Sequence, residues 1–449
     1  MQPSQQSVET RPVPPGQASE RVRLHRRIEG LIADWDTTPG KLRLARIILV
    51  IGVLLAGSVG FYAANARMDT MRDIAEHLEP LNAHVTTLYR SLADADTTVA
   101  TGFLSGRVEP RHVRARYDGD VDLAMTSLAQ ASIQAGRESI ITDQIINITK
   151  QLPVYTGLVE QARANNRQGL TVGVAYLRLA SDLMQNRILP QAAELQRRQA
   201  TRLDDAYLRA GSVPLVALVA GGMSLAVLIL AQIFLFRRTH RVVNIGLAAA
   251  STAVLIGLLW WTVATAASTG PLTRSHQHSQ SVSDALGPAQ ITALQARTVE
   301  SLGLARTGTT TEADFDARMQ WLARNGGALD AARALTTDQT GRDLVDAAAK
   351  EALNYSSAHQ KVRQLDDSAQ YAEAVKAAVS IQETSAATAF DQLDKALIRA
   401  VDHERRALGS DIDQAQRHLT GLPTATGALA LAAAIGVALG IRQRLEEYR

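Results

Sequence analysis

His276 and His278 form a His-x-His pair that could offer two imidazoles to a metal ion. A metal site needs at least a third ligand. None stands in a suitable register, so the pair reads as a solvated turn beside a membrane span. The neighbouring carboxylates Asp204-Asp205 and Asp366-Asp367 point about 100° apart on a helix and read as solvated face. Tyr155 and Tyr355 stand apart, because each falls on the apolar seam of an amphipathic segment. A phenol there can hydrogen-bond across helices or to a ligand, or simply pack in the core. There is no GxxxxGK[ST] loop, no glycine-rich dinucleotide fingerprint, no GxSxG elbow and no HExxH. The chain is therefore expected to be non-enzymatic, with no catalytic, cofactor or metal residues to assign.

These residues are positioned by a chain organised around two apolar segments, 213–236 and 242–268, separated only by Arg237-Arg238-Thr239-His240-Arg241. Each is long enough to cross a bilayer, which takes about 20 residues. The arginines of so short a turn hold it in the cytoplasm. Two further spans, 47–66 and 422–441, have basic flanks, Arg43 and Arg46 before the first and Arg442 and Arg444 after the last. Both termini are then cytoplasmic, and the blocks 67–212 and 269–421 lie outside, in the plasma membrane of a multi-pass protein. The cytoplasmic pieces 1–46, 237–241 and 442–449 are too short for a catalytic domain of ordinary size.

Composition narrows the class further. Aromatic residues make up 4% of the chain and there is no cysteine, so outer domains are held by helix packing rather than by disulfides. The net charge of +3 comes from basic cytoplasmic flanks and carries no nucleic-acid inference. Only six of the 47 basic residues are lysine, which suggests high-GC coding and an actinobacterial source. Deep within the spans Gln232 is the one strongly polar side chain, and no charge interrupts any of the four, which argues against a transporter. Gly436–Gly440 is a GxxxG step and Ala56–Gly60 a similar small-xxx-small step, both able to bring helices close.

Residues 1–18 are polar and proline-rich and read as disordered. The segment 21–35 alternates Arg23, Arg26 and Arg27 with apolar residues. It reads either as an amphipathic helix on the inner membrane face or as a topology determinant only. The block 67–212 shows four amphipathic helices. The first is a rod continuing the first span, with Met71, Ile74, Leu78, Leu81, Val85, Leu88, Leu92, Ala95 and Val99 in heptad register. Pro153 and Pro190 should bend the third and fourth. The block 269–421 repeats this order at an offset of 200, with helices expected at 275–306, 312–335, 339–365 and 369–419. Gly270-Pro271 and Gly421–Pro423 are expected to interrupt its rods. The fold class is an all-α membrane protein: four transmembrane helices and two tandem extracytoplasmic four-helix bundles related by internal duplication.

Each block resembles the four-helix-bundle sensor modules of chemoreceptors and sensor kinases, but no HAMP-like signalling region follows either. The stretches Tyr155–Glu160, Ala175–Ser181 and Ile188–Pro190, with the topology, resemble the GlnX family of actinobacterial four-span proteins. That resemblance implies a link between a glutamine-binding lipoprotein outside and the Ser/Thr kinase PknG inside. The expected function is a transmembrane sensor or adaptor relaying amino-acid availability from a solute-binding lipoprotein to a protein kinase. Arg237, Arg238, Arg241, Arg23, Arg26 and Arg27 are the candidate cytoplasmic contacts, and homodimerisation stays open. The alternative is a structural scaffold of an envelope or secretion complex.

Overall fold

The computed structural model of the protein describes residues 38–135, 139–212, 214–239, 244–305 and 312–446. They are all-α, with no strand among them. Four helices are long and apolar enough to cross a membrane. The helices are α1 (Thr38–Asp73), α2 (Glu79–Leu104), α3 (Arg111–Ala135), α4 (Ser139–Arg167), α5 (Val172–Leu183), α6 (Leu189–Gly211), α7 (Leu215–Thr239) and α8 (Ile245–Gln280). They continue with α9 (Gly287–Leu304), α10 (Glu312–Ala323), α11 (Ala328–Leu335), α12 (Gln339–Asp367), α13 (Tyr371–Val379), α14 (Ala386–Leu419) and α15 (Leu422–Glu446). The described residues divide into two compact units, one within 66–212 and 265–420 and one within 38–65, 214–264 and 421–446.

In the second of these units glycines let backbones meet. Gly436 and Gly440 of α15 pack on Gly246 of α8, and a methyl group added to Gly246 would come within 2.5 Å of the Gly436 oxygen and the Gly440 Cα. The GxxxG step is thus a true contact. Asn244 Nδ2 donates to the Gly440 carbonyl at 2.8 Å, while its Oδ1 accepts from the Gly246 amide at the start of α8. Gln232 Nε2 donates to the Leu247 carbonyl and to Ser251 Oγ, both at 2.8 Å. A polar group in hydrocarbon needs such partners. Because both obstacles at Gly246 are backbone atoms, Gly246→Ala is expected to force α8 and α15 apart at a cost of about 1–3 kcal/mol. A thermal melt of the purified protein in detergent would read this as a lowered Tm.

The larger unit holds both helical blocks on one shared hydrophobic core. The first block is α2, α3, α4 and α5–α6. The second is α9, α10–α11, α12 and α13–α14. Three π-helical turns, Ile74–Leu78, Met184–Ile188 and Ser281–Leu286, lead into α2, α6 and α9. Each is followed by a proline at the second position of the next helix: Pro80, Pro190 and Pro288. A proline has no N–H to donate and its ring crowds the carbonyl four residues back. The wider π turn makes that room. So Pro190 does disturb its helix, while α4 runs unbroken through Pro153.

Several expected boundaries are corrected. Pro271 lies inside α8, which passes through Gly270-Pro271 without a break. The hydroxyls of Thr269 and Thr273, on either side of that step, bond the Ala266 and Thr269 carbonyls. Gly421, at φ +83°, does separate α14 from α15. The expected helix 312–335 is split by Gly326-Gly327, where Gly326 takes φ +80° and its amide donates to Asp330. The expected helix 369–419 is split at 380–385, where Ser385 caps α14 by accepting from the Thr388 amide. Arg237 and Arg238 belong to the last turn of α7 rather than to a loop.

Candidate functional site: a polar seam between two half-bundles

Helices α2 and α9 pack side by side through small residues, and residues about 200 positions apart face each other. Asn82 Nδ2 donates to Ser283 Oγ at 3.0 Å. The Thr97 and Thr298 hydroxyls meet at 2.9 Å, and those of Thr101 and Ser301 at 3.1 Å. Thr97 also donates to the Leu294 carbonyl. Between these contacts lie Ala93, Ala100, Ala289, Ala293 and Ala296, all buried. The seam therefore has few aliphatic knobs to lock its register, and each hydroxyl bond adds only about 1 kcal/mol. Buried Thr86, Ser91 and Ser281 hydroxyls find no partner among the described residues.

Each half sets a buried carboxylate beside the seam, and each is met by the tyrosine singled out from the sequence. In the first half Asp96 accepts from Ser181 Oγ at 2.9 Å, from Gln185 Nε2 at 2.8 Å and from the Tyr155 hydroxyl at 3.4 Å. All three donors are neutral. Burial pushes the Asp96 carboxyl up to about 6. In the second half Glu300 accepts from the Tyr355 hydroxyl at 3.1 Å and contacts His359 Nδ1 at 2.9 Å and the Arg297 guanidinium. Burial alone would raise its pKa, but Arg297 and His359 hold it below the usual carboxylate range. Phe315 stacks on His359 with ring centres 3.5 Å apart, and Tyr355 stands edge-on to Phe315 and Phe390. The two sites are alike in place and opposite in charge balance.

A third cluster bridges the halves. Arg90 bonds Asp394 at 3.2 Å, and Arg116 bonds Asp94 at 2.9 Å and approaches Asp394 at 3.5 Å. Asp120 lies beside them, and burial together with Asp94 pushes it up to about 8. Three carboxylates here face two guanidinium groups, and Asp120, the one raised to about 8, holds a proton near neutral pH. Next to this cluster a cavity of about 540 Å³ opens between the halves, lined in part by Asp94, Thr97, Thr101, Arg116, Arg297 and Phe390. It offers both charges and an aromatic face, within the size range of small-ligand sites, ~300–1,000 Å³.

His276 and His278 are two residues apart on α8 and turn to different partners. His276 bonds Asp204 and stacks on Tyr207, with ring centres 5.1 Å apart. His278 is buried against Glu404 and Thr337. They form no solvated turn, because α8 continues through them, and no group of three or more potential metal ligands is assembled among the described residues. Asp204 also accepts from Gln280, and Asp366 and Asp367 hold Arg363 at 3.1 and 3.0 Å. Of the candidate cytoplasmic arginines, Arg237 is exposed and Arg238 is helical, whereas Arg23, Arg26, Arg27 and Arg241 lie outside the described residues. The residues missed from the sequence are Asp96, Glu300 and the Asp94–Asp120–Asp394 cluster. Arg90 stands four residues before Asp94, but Asp96 has no basic residue three or four positions away on its helix, which was a legible signal of a buried acid.

No curated protein and no solved structure matches the chain. Residues 70–208 match the family model described as an actinobacterial sensor domain, and that segment spans the first half-bundle, from the end of α1 to α6.

Proposed function

We propose that the protein is a non-enzymatic transmembrane sensor or adaptor, which relays an extracytoplasmic cue to a cytoplasmic partner through the seam between α2 and α9. The carrying observation is the seam itself, where small hydroxyl and alanine side chains from the two halves face each other about 200 residues apart. Such an interface can slide or rotate between two packings of similar energy, and a ligand that prefers one packing shifts the balance. The sensor-domain match over 70–208 supports a sensing role.

The halves are read as copies of one duplicated unit. In support, Gly169 and Ala369, 200 residues apart, both adopt a left-handed backbone, at φ +74° and +61°. Tyr155 and Tyr355, also 200 apart, are both fully buried on a carboxylate. In this reading the blocks lie outside the plasma membrane and the arginines of 237–241 inside. The resemblance to the GlnX family further suggests amino-acid availability as the cue, a solute-binding lipoprotein as its carrier and a Ser/Thr kinase as the recipient. In-cell cross-linking, purification and mass spectrometry would test this. Recovery of a solute-binding protein, with or without a kinase, is the expected result, and recovery of cell-wall or secretion components alone would favour a scaffold.

A further inference from the structure

A second cavity, of about 340 Å³, lies within the first half where the 105–110 connection and the start of α3 meet the end of α4. Its lining carries five arginines, Arg107, Arg111, Arg114, Arg163 and Arg167, against two carboxylates, Glu109 and Asp118. The carboxylates are already engaged. Arg163 bonds Glu109 and Glu160, both at 2.9 Å, and Arg114 bonds Glu160 at 3.0 Å and Asp118 at 3.4 Å. Arg107, Arg111 and Arg167 then face the cavity with no carboxylate partner among the described residues.

Two further features bias this place toward anions. Arg163 is only 6% exposed, sits over the Tyr117 ring at 4.2 Å, and its Nε finds no hydrogen-bond partner among the described residues. A guanidinium fixed in this way by Glu109, Glu160 and the Tyr117 ring holds a positive charge at the cavity wall without further ordering cost. The 25-residue helix α3 begins at Arg111, so the positive end of its dipole adds to the field. The Arg107 guanidinium lies over the tight Gly169 turn, where a methyl group would come within 3.2 Å of it. The basic character is not general to the bundle. At the positions 200 residues on, Arg111, Arg114 and Arg167 give way to Thr311, Asp314 and Asp367.

We propose that this cavity binds a small multivalent oxyanion, a molecule carrying two or more carboxylate or phosphate groups held by Arg111, Arg163 and Arg167. The inference does not depend on the relay described above and would stand in a scaffold as well. The test is a thermal-shift and calorimetric titration of the full chain in detergent with citrate and with pyrophosphate, against sodium chloride at matched ionic strength. A saturable rise in Tm with either anion, absent with chloride, is expected. In Arg111→Gln/Arg167→Gln the affinity should fall by about tenfold or more, as expected for lost charge-assisted bonds. Arg333→Gln, which removes an exposed arginine paired with Asp346 in the other half, should bind as the parent does. If the double variant does not fold, Arg111→Gln and Arg167→Gln singly should each weaken binding several-fold. No saturable shift with either anion, an equal shift with matched chloride, or equal affinity in the arginine variants would each overturn the proposal.

Discussion

Glu300→Ala is expected to be the most damaging single substitution in the larger unit, lowering stability by about 3–5 kcal/mol, the usual loss when one partner of a buried ion pair is removed. Arg297 is fully buried beside Glu300, and its guanidinium also bonds the Ala378 carbonyl and lies over the Phe390 ring. Without the carboxylate that guanidinium is left charged in an apolar surround, and the Tyr355 hydroxyl and His359 lose their shared acceptor. Thermal unfolding should shift down by roughly 10 °C. Arg297→Met combined with Glu300→Gln removes both charges and keeps an acceptor for Tyr355. It should recover much of the loss, because an uncompensated charge is worse than no pair. Equal destabilisation by the single and double changes would show that packing, rather than charge balance, dominates this site.

The counterpart in the first half should behave in the opposite way. Asp96 has no cation among its three hydrogen-bond donors, and burial raises its carboxyl from the ordinary 3.8 to about 6. The folded protein therefore holds this proton more tightly than the unfolded chain. The stabilising contribution of the protonated form is complete below about 3.8 and is lost as pH rises through about 6. Above that pH the buried charge costs about 3 kcal/mol, at ~1.4 kcal/mol per pH unit. Asp96→Asn keeps one oxygen to accept from Ser181 and Gln185, turns its amide nitrogen toward the Tyr155 oxygen, and cannot ionise. It should be at least as stable as the parent at pH 7.5 and should lose the fall in Tm between pH 4 and 7 that Asp96 contributes. A variant less stable than the parent at every pH would mean that the ionised carboxylate is well solvated by its donors.

The contrast between these sites shows what the sequence makes legible. The helical class, the four spans and the seam positions follow from periodicity, since Leu81, Val85, Leu88, Leu92 and Val99 are all buried as their spacing requires. Tyr155 and Tyr355 were recognisable because a phenol on an apolar stripe must find a partner. The identity of that partner was not, since Asp96 and Glu300 come from another helix and only tertiary packing brings them there. Single prolines were also ambiguous: Pro190 follows a π turn, whereas Pro153 and Pro271 sit inside continuous helices. Local sequence does not say whether neighbouring groups will satisfy the freed carbonyl. In the charge cluster the Arg90–Asp94 spacing is local, but Asp394 stands about 300 positions away from both arginines, and no local pattern announces its arrival.

A relay through the α2–α9 seam requires that the seam has two packings. The chain has no cysteine, so paired substitutions report on it without background. Thr97→Cys/Thr298→Cys and Asn82→Cys/Ser283→Cys replace side chains that touch across the seam. The rate of disulfide formation should be measured at each pair in cells that are amino-acid-replete or amino-acid-starved. A relay that works by sliding or rotation predicts that the ratio of the two rates changes between the conditions. Identical rates at both pairs in both conditions would contradict it and leave a rigid scaffold.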